Sequence, residues 1–352
     1  MIRRPQCLAY LVAGSLLGSA PPAVSSLAAQ RAPASADTVV LKEWDVPWGA
    51  ASRPRDPAVG TDGRIWFVGQ EGNYVARLDP STGKFSRIEI DSGTNPHSIN
   101  VDRAGNAWYT GNRNGTVGRI DVRTGMITRY RMPDSAARDP HTIAFDAKGD
   151  LWFTLQNSNM LGHLDHVSGH VRLAKMAKPG SRPYGIVIDI RGRPWFNLFG
   201  TNAVATIDPT SMRVTEFPLP DPRARGRRIA LTSDGAVWYV DYVRGFLGKL
   251  DPVSGVVREW AMPGGGMSLP YAMTVDDYDR LWFVETGRQP NRLVGFDPRT
   301  ARFFGHTDLG PVAPNTVRHM VFDRQTRSIW FGSDRGTIGR AIVPRGTGTP
   351  IS

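Results

Sequence analysis

The chain has 352 residues, 40% of them hydrophobic, and a formal net charge of +11 at pH 7. Its basic residues are spread along the whole length, without Lys/Arg runs interleaved with aromatic residues, which argues against a nucleic-acid partner. The single cysteine, Cys7, excludes a disulfide framework, and no apolar run is long enough to predict a transmembrane segment.

The N-terminal residues have the features of an export signal. A basic start at Arg3-Arg4 precedes an apolar stretch, Cys7 to Ala20, that is too short to span a bilayer, and Ser26-Leu27-Ala28 fits a signal-peptidase site. We therefore predict a cleaved signal peptide over residues 1–28, a linker over 29–38 and a periplasmic or secreted protein. Both the general and the twin-arginine export routes stay open.

Seven tryptophans recur at intervals of 42 to 48 residues, each within the pattern P-x-x-I-x-x-D-x-x-G-x-x-W-[FY]. A period of this length in strand-forming sequence predicts an all-β fold, a seven-bladed β-propeller with one four-stranded blade per repeat. Length alone would suggest two domains, but the repeat predicts one domain over residues 39–344, followed by a disordered tail over 345–352. We interpret the tryptophans as packing between neighbouring blades: Trp66, Trp108, Trp152, Trp195, Trp238, Trp282 and Trp330.

The second repeat shows how one blade is encoded. Four short strands are predicted, separated by turns rich in Gly, Asp and Asn: Pro96 to Val101, Asn106 to Thr110, Thr116 to Asp121, and Met126 to Met132. Helices are not predicted, because there is no sustained 3.6-residue periodicity and Gly or Pro interrupts the chain about every ten residues.

The seventh repeat ends after its third strand, Thr337 to Val343, so one strand of the last blade is missing at that end of the chain. The segment Lys42 to Pro47 resembles the fourth strand of the fifth repeat, Arg258 to Pro263. The N-terminal strand is therefore predicted to complete the last blade, which would remove the exposed sheet edges. We expect a monomer.

When the repeats are aligned on their aspartate and tryptophan, the position that follows the leading proline of the pattern holds a large polar residue in all seven. Seven innermost strands would bring these residues to one channel mouth. We call them the ring residues: Arg55, His97, His141, Tyr184, Arg227, Tyr271 and Arg318. The third residue after each tryptophan should return to the same end, and two of these are acidic, Asp241 and Glu285. Such a polar concavity predicts a site for a small-molecule ligand. The alternative is a solvated funnel whose polar side chains satisfy one another.

Two groups of residues at the predicted mouth suggest a metal-binding or catalytic role. His97 with Asp139 and His141 could hold a divalent metal, or one histidine could act as a general base oriented by Asp139. Asp241 and Glu285 near Tyr271 suit Mg²⁺ or another divalent cation, unless Arg227 simply neutralises them. Arginines at the ring predict an anionic ligand, with the strongest attraction at the side of Arg318 and Arg55, whose blades are neighbours.

The remaining histidines are predicted to lie outside the site. His163, His166 and His170 fall on a third strand and its turn and should be exposed, and His319 should point away from the channel. The sequence contains no H-E-x-x-H motif, P-loop, nucleophile elbow or dinucleotide fingerprint, so no organic cofactor is expected.

The tryptophan repeat, with its Gly/Asn loop and G-[RK]-[IL]-D-P-x-[ST]-G ending, resembles the streptogramin B lyase family, best over Pro140 to Thr154 and Pro270 to Glu285. The resemblance covers essentially the whole mature chain. It implies a seven-bladed propeller with a Mg²⁺-assisted elimination at the channel mouth, which opens the ester of a cyclic depsipeptide without water. A histidine base takes the proton α to the ester carbonyl, and the metal polarises that carbonyl.

The family's functional positions correspond here to Tyr271 for the base, Leu269 and Glu285 for metal carboxylates, and Arg227 for a substrate-contacting histidine. Of these only Glu285 matches the family's residue type. The same spacing recurs three blades earlier at His97, Asp139 and His141, which allows a rotated site. Two hypotheses follow: a metal-dependent C–O lyase or lactone hydrolase acting on an ester, and a non-catalytic propeller that binds an anionic ligand or a partner protein.

Overall fold

A computed structural model describes residues 39–311, 315–347 and 349–351; the predicted signal peptide and linker lie outside these residues. Within them the chain forms seven sheets of four antiparallel strands each, together with two short 3₁₀ turns, Ala50–Ser52 and Gly265–Met267. The sheets are the blades of a ring, so the predicted β-propeller is confirmed. None of the helices in the described ranges has the length and hydropathy needed to cross a membrane.

The strands follow the sequence repeat closely, and six of the blades are built from consecutive strands. Blade 1 contains β2 (Pro54–Val59), β3 (Ile65–Gly69), β4 (Tyr74–Asp79) and β5 (Lys84–Glu89); blade 2 contains β6 (Pro96–Val101), β7 (Ala107–Gly111), β8 (Thr116–Ile120) and β9 (Ile127–Arg131); blade 3 contains β10 (Pro140–Phe145), β11 (Leu151–Leu155), β12 (Met160–Leu164) and β13 (Val171–Lys175). Blade 4 contains β14 (Pro183–Ile188), β15 (Pro194–Leu198), β16 (Ala203–Ile207) and β17 (Val214–Pro218); blade 5 contains β18 (Gly226–Leu231), β19 (Val237–Asp241), β20 (Phe246–Leu250) and β21 (Val257–Ala261); blade 6 contains β22 (Pro270–Val275), β23 (Leu281–Glu285), β24 (Asn291–Asp297) and β25 (Arg302–Leu309).

Blade 7 joins the two ends of the described chain. It contains β26 (Val317–Asp323), β27 (Ser328–Ser333), β28 (Thr337–Ile342) and the N-terminal strand β1 (Val40–Asp45). β1 pairs with β28 in antiparallel register, and the ring of Trp44 stacks on that of Trp330 with centroids 5.6 Å apart. The prediction that the N-terminal strand completes the last blade is confirmed.

The repeated aspartate and tryptophan are held together at one corner of the blade. In blade 2, Asp102 accepts hydrogen bonds from the backbone N–H groups of Ala104 and Asn106 through one oxygen, and from the indole N–H of Trp108 through the other, at 2.9 Å. Trp108 then packs into a buried cluster with Ile143 and other residues of blade 3. The interpretation of the tryptophans as inter-blade packing is therefore correct, and the repeat period is the period of this contact.

Each innermost strand begins with an irregularity. In all seven, the pairing with the next strand shifts between the first or second residue of the strand and its fourth or fifth residue, as between Pro96 and Ile99 in blade 2. A bulge of this kind re-aims side chains and increases local twist. The ring residues lie within these bulges, so the bulge determines which side chains reach the channel.

The residues of the predicted tail have partners where the structure describes them. The backbone N–H of Ile351 donates to the carbonyl of Asp277, and Arg324 donates to the carbonyl of Ile351 at 2.9 Å. Arg299 donates to the carbonyl of Thr347. This segment therefore lies along blades 6 and 7.

Candidate functional site

The ring residues from blades 2, 3, 4 and 6 meet in a continuous chain of side chains. The rings of His97 and His141 have centroids 3.5 Å apart, and His141 lies 4.4 Å from Tyr184. The hydroxyls of Tyr184 and Tyr271 share a hydrogen bond. All four side chains are buried. The structure thus brings the predicted ring together, but as a packed layer and not as an open ring of solvated groups.

Arg227 lies on this aromatic layer. Its guanidinium carbon is 3.7 Å from the ring centroid of Tyr271, 4.2 Å from that of Tyr242 and 5.0 Å from that of Phe199. Within the part of the chain that the structure describes, Arg227 has no carboxylate partner, and its Nε has no hydrogen-bond acceptor. Its side chain is only partly buried. Arg227 is therefore a cation that contacts π-faces and remains available to an anion.

The other two ring arginines are already engaged. Arg55 is 4% exposed and donates to Asp56 at 3.0 Å and to Gln70 at 2.9 Å. Arg318 donates to both carboxylate oxygens of Asp334, at 3.1 and 2.6 Å, and its side chain is 23% exposed. The ring arginines therefore differ in availability, with Arg227 the most and Arg55 the least available.

A buried arginine that follows the ring crosses the channel beneath it. Arg228 is 2% exposed and contacts Asp56 of blade 1 at 3.4 Å, Thr142 of blade 3 at 3.4 Å and the carbonyl of Arg318 in blade 7 at 3.0 Å. Burial alone would raise the pKa of Asp56, but the charges of Arg55 and Arg228 hold it well below its usual range. The repeat marks Arg228 only as the neighbour of a ring position, so its bridging role was missed.

Beyond Arg228 the channel widens again into a cavity of about 570 Å³. Apolar residues from the innermost strands dominate its lining, among them Ile143, Ile186 and Met273. His319 also lines this cavity, so the prediction that it points away from the channel is wrong. The bulge at the start of β26 alters the alternation on which that prediction relied.

The charges around the ring shift the pKa values of its members in different directions. Burial alone would raise the pKa of Tyr271, but the nearby cations Arg227, Arg55, Arg228 and Arg318 outweigh it and lower the pKa to about 7. Burial raises the pKa of its partner Tyr184. Burial and the positive charge of Arg55 hold the pKa of both His97 and His141 well below the usual value. At neutral pH both imidazoles are uncharged, and Tyr271 is the group poised to titrate.

Neither carboxylate proposed for the metal has free oxygens. Glu285 accepts a hydrogen bond from the N–H of Gly264 at 2.6 Å and two from Arg292 at 3.0 and 2.8 Å. Asp241 accepts from three backbone N–H groups and from Nε of Arg244 at 2.6 Å. Both residues are at the predicted end of the hairpin, but they stabilise loops. This arrangement does not fit a Mg²⁺ site, which needs available oxygen ligands.

Asp139 is likewise used by the backbone of its own blade. Its carboxylate accepts hydrogen bonds from the N–H groups of Asn157 and Ser158, at 2.5 and 2.9 Å. His141 instead contacts the hydroxyl of Thr142 through Nδ1 at 2.8 Å, and Nδ1 of His97 has no partner among the described residues. Asp139 therefore makes no hydrogen bond to His97 or His141 of the kind that would orient a histidine base.

The other histidines separate into two groups. His166 and His170 are exposed, as predicted. His163 is buried, because its ring packs on Trp152 with centroids 4.4 Å apart, so the prediction of an exposed side chain is wrong there.

The fold and the repeat can be compared with known proteins. The family model described as the virginiamycin B lyase family matches residues 40–341. Virginiamycin B lyase from Staphylococcus aureus is 24% identical, with a TM-score of 0.78 over 87% of this chain and 99% of that one; a streptogramin B lyase structure is also 24% identical, with a TM-score of 0.79 over 88% and 100%.

A more distant solved structure also matches in fold. Hydrazine synthase from Kuenenia stuttgartiensis is 14% identical, with a TM-score of 0.66 over 80% of this chain and 92% of that one. No curated protein matches the chain in sequence. Since the family model spans nearly all of the described propeller, the chain belongs to the virginiamycin B lyase family.

Proposed function

We propose that the channel mouth binds a small anionic molecule, with Arg227 as the main cationic contact. The observation that carries this proposal is the guanidinium of Arg227, which has no carboxylate partner in the described ranges and lies on aromatic rings at an accessible mouth. An arginine can hold a carboxylate or phosphate through paired hydrogen bonds. Arg318, which is partly exposed and lies 5.9 Å from the same Tyr271 ring, would add a second cation if its bond to Asp334 opened.

The surroundings of Arg227 favour a ligand that is also aromatic or flat. Phe199 and Tyr242 flank the guanidinium, with ring centroids 6.2 Å apart, and both are partly exposed. A carboxylate attached to a ring would pair with Arg227 while its ring stacks on these side chains. We therefore propose an aromatic carboxylate as the ligand class.

The test compares benzoate with its neutral isostere benzamide by ligand-observed NMR. Wild-type protein should bind benzoate more tightly, and Arg227→Met should weaken benzoate binding by about 10- to 100-fold, from the 1.5–3 kcal/mol of a charged hydrogen bond. Arg223→Met is the matched control, because Arg223 is a highly exposed arginine of the same connection. Equal binding of the two ligands, or of benzoate to wild type and Arg227→Met, would contradict the proposal.

A second candidate function is an elimination in which Tyr271 acts as the base. Tyr271 lies in the slot that the family uses for its base, and the surrounding arginines lower its pKa to about 7. As tyrosinate it could take a proton from the carbon next to the one that bears the ester oxygen, so that a carbon–carbon double bond forms as the C–O bond breaks and the carboxylate leaves. Arg227 covers the ring of Tyr271, which is 1% exposed, so a substrate would first have to move that guanidinium. The anion-binding function is therefore the stronger candidate.

We also propose that the protein works outside the cytoplasm. The support is the basic start, apolar stretch and cleavage-type residues of the first 28 positions. Fusion of these residues to an export-dependent reporter tests the proposal, with Arg3→Lys/Arg4→Lys distinguishing the two routes. A reporter retained in the cytoplasm would contradict it.

A further inference from the structure

The cavity on the far side of the ring residues is separate from the candidate site at the mouth. Its volume is about 570 Å³, and a neighbouring cavity of about 320 Å³ shares Asn100, Ile143, His319 and Val321 with it. Pockets that hold small molecules have volumes of about 300–1,000 Å³ and are mostly apolar, with a few polar groups. Since the innermost strands line both cavities, the two are parts of one widened stretch of the channel.

The channel widens because the side chains that line it become small. On each innermost strand, one residue pairs opposite the repeat tryptophan, three positions after the large ring residue. Six of these seven residues line the larger cavity, and none of the six is larger than valine. They are Asn100, Ala144, Val187, Ala230, Thr274 and Val321.

The wall of the larger cavity is mainly aliphatic. The half-buried residues Ile188, Leu231 and Val275 line it, and Phe145 contributes one phenyl ring. Such a wall stabilises a ligand mainly by removing apolar surface from water, and it offers little area for the stacking of flat rings. It therefore suits an alkyl chain better than an aromatic ring.

Two polar side chains lie at the end of the cavity nearest the ring residues, because Arg228 and His319 each directly follow a ring residue. Arg228 is 2% exposed, and its carboxylate partner Asp56 also pairs with Arg55. These three side chains together therefore carry one excess positive charge. His319 is half-buried, and its Nδ1 is shielded from solvent with no hydrogen-bond partner among the described residues.

His319 can donate a hydrogen bond into the cavity. Burial and the positive charge of Arg228 lower the pKa of His319 from 6.5 to about 3, so its imidazole is uncharged at neutral pH. An uncharged imidazole has one N–H, and a shielded N–H without an acceptor is costly. The proton therefore belongs on Nε2, which is left as the donor for a ligand.

We propose that this cavity binds a medium-chain alkyl carboxylate, with its chain along the aliphatic wall and its carboxylate beside His319 and Arg228. The Nε2–H of His319 donates to a carboxylate oxygen, and the negative charge of the ligand balances the excess positive charge of Arg228 and its partners. Because Arg227 and its aromatic neighbours lie at the mouth, this proposal and the proposed function can fail independently.

Calorimetric titration with octanoate tests the proposal, and we expect one molecule bound per chain. Butanoate is four methylenes shorter and should bind about 200-fold more weakly, because each buried methylene contributes roughly a fourfold gain in affinity. Octanamide lacks the charge and should bind about tenfold more weakly. Absence of octanoate binding, or an affinity that is the same for butanoate or for octanamide, would overturn the proposal.

Variants that fill the cavity test where the chain binds. Ala144→Leu and Thr274→Leu place larger side chains in the cavity from two different blades, and each should lower octanoate affinity at least tenfold in protein that circular dichroism shows to be folded. Ala136→Leu is the matched control, because Ala136 is exposed in the connection between β9 and β10. Unchanged affinity in either folded cavity variant would show that the chain lies elsewhere.

Two further variants separate the cavity from the mouth. His319→Leu removes the donor but keeps the cavity apolar, so it should fold and bind octanoate about tenfold more weakly. Arg227→Met alters the mouth and should bind octanoate as tightly as the wild type. Full affinity in His319→Leu, or loss of octanoate binding in Arg227→Met, would overturn the assignment of the ligand to this cavity.

Discussion

At the scale of single residues, the ring shows how a packed layer can carry net positive charge. Arg55, Arg227, Arg228 and Arg318 all affect the pKa of Tyr271, whereas the acidic groups nearby, Asp56 and Asp334, are each shared with an arginine. The aromatic rings stabilise part of this excess positive charge, because their π-faces attract cations although the rings carry no negative charge themselves. Ionisation of Tyr271, or an anion from solution, would supply the missing negative charge.

The first prediction concerns the titration of Tyr271. One tyrosine should ionise near pH 7 in the folded wild type, measured by tyrosinate difference absorbance, and Tyr271→Phe should lack this step. Since the folded pKa lies below that of a free tyrosine, about 10, the unfolded state holds more protons between these two values. The stability of the wild type should therefore rise with pH from 7 to 10 relative to Tyr271→Phe, and this gain is lost as pH falls through 7. Parallel pH profiles of the two proteins would contradict the assignment.

At the scale of strands and turns, the blade is stabilised by contacts that repeat because each blade needs them. The aspartate that caps the turn also holds the tryptophan, and the tryptophan fills the gap to the next blade. In blade 7 the indole N–H of Trp330 has no partner among the described residues, and Trp44 of the closing strand stacks on the ring instead. The closing strand therefore supplies packing as well as hydrogen bonds.

The second prediction tests the closing strand. Trp44→Ala should lower the free energy of unfolding by about 2–3 kcal/mol, less than a fully buried tryptophan, because Trp44 is half-buried. Val40→Ala in the same strand is the control, since Val40 is 58% exposed and should change stability by less than about 0.5 kcal/mol.

Deletion of residues 29–48 should expose the edge of β28 and cause aggregation, seen by size-exclusion chromatography. A soluble deletion variant with unchanged Tm would show that the strand is dispensable.

The repeat predicted the blades well because its signals are local. Turn residues, the aspartate and the tryptophan lie within a few positions of one another, so the spacing alone places the strands and the ring residues. The partners of the ring are not local: Arg228 reaches Asp56 across 172 positions. The bonds that Glu285 and Asp241 make to Arg292 and Arg244 could not be foreseen either, because these arginines return to the carboxylates only once the next loop has folded.

At the scale of the whole molecule, Arg228 connects its own blade to three blades that are not its neighbours in the ring. From blade 5 it contacts blades 1, 3 and 7, and it also lines the cavity on the far side of the ring residues. A propeller has no single central core, since each cluster of apolar side chains joins two adjacent blades. A charge at the axis is therefore positioned to couple them.

The third prediction follows from this position. Arg228→Met should lower the free energy of unfolding by about 3 kcal/mol, because Asp56 would keep only Arg55 as a charged partner in a buried site. The double variant Asp56→Asn/Arg228→Met should be less destabilised than the sum of its single variants, since the unpaired charge is removed. Denaturant titration of the four proteins measures the coupling. Simple additivity would mean that the two groups do not act as a pair.

The last prediction concerns the activity for which the family is named. We expect little or no turnover of streptogramin B antibiotics, since Tyr271, Leu269 and Arg227 differ from the residue types that the family uses at those positions. The one matching residue, Glu285, is bonded to Arg292 and Gly264, so it lacks the free oxygens that a Mg²⁺ ligand needs. Incubation of such a depsipeptide with the protein and Mg²⁺, followed by mass spectrometry, tests this expectation. Enzyme-dependent linearisation would contradict it, and its loss in Tyr271→Phe or in His97→Ala/His141→Ala would then distinguish a tyrosinate base from the rotated histidine site.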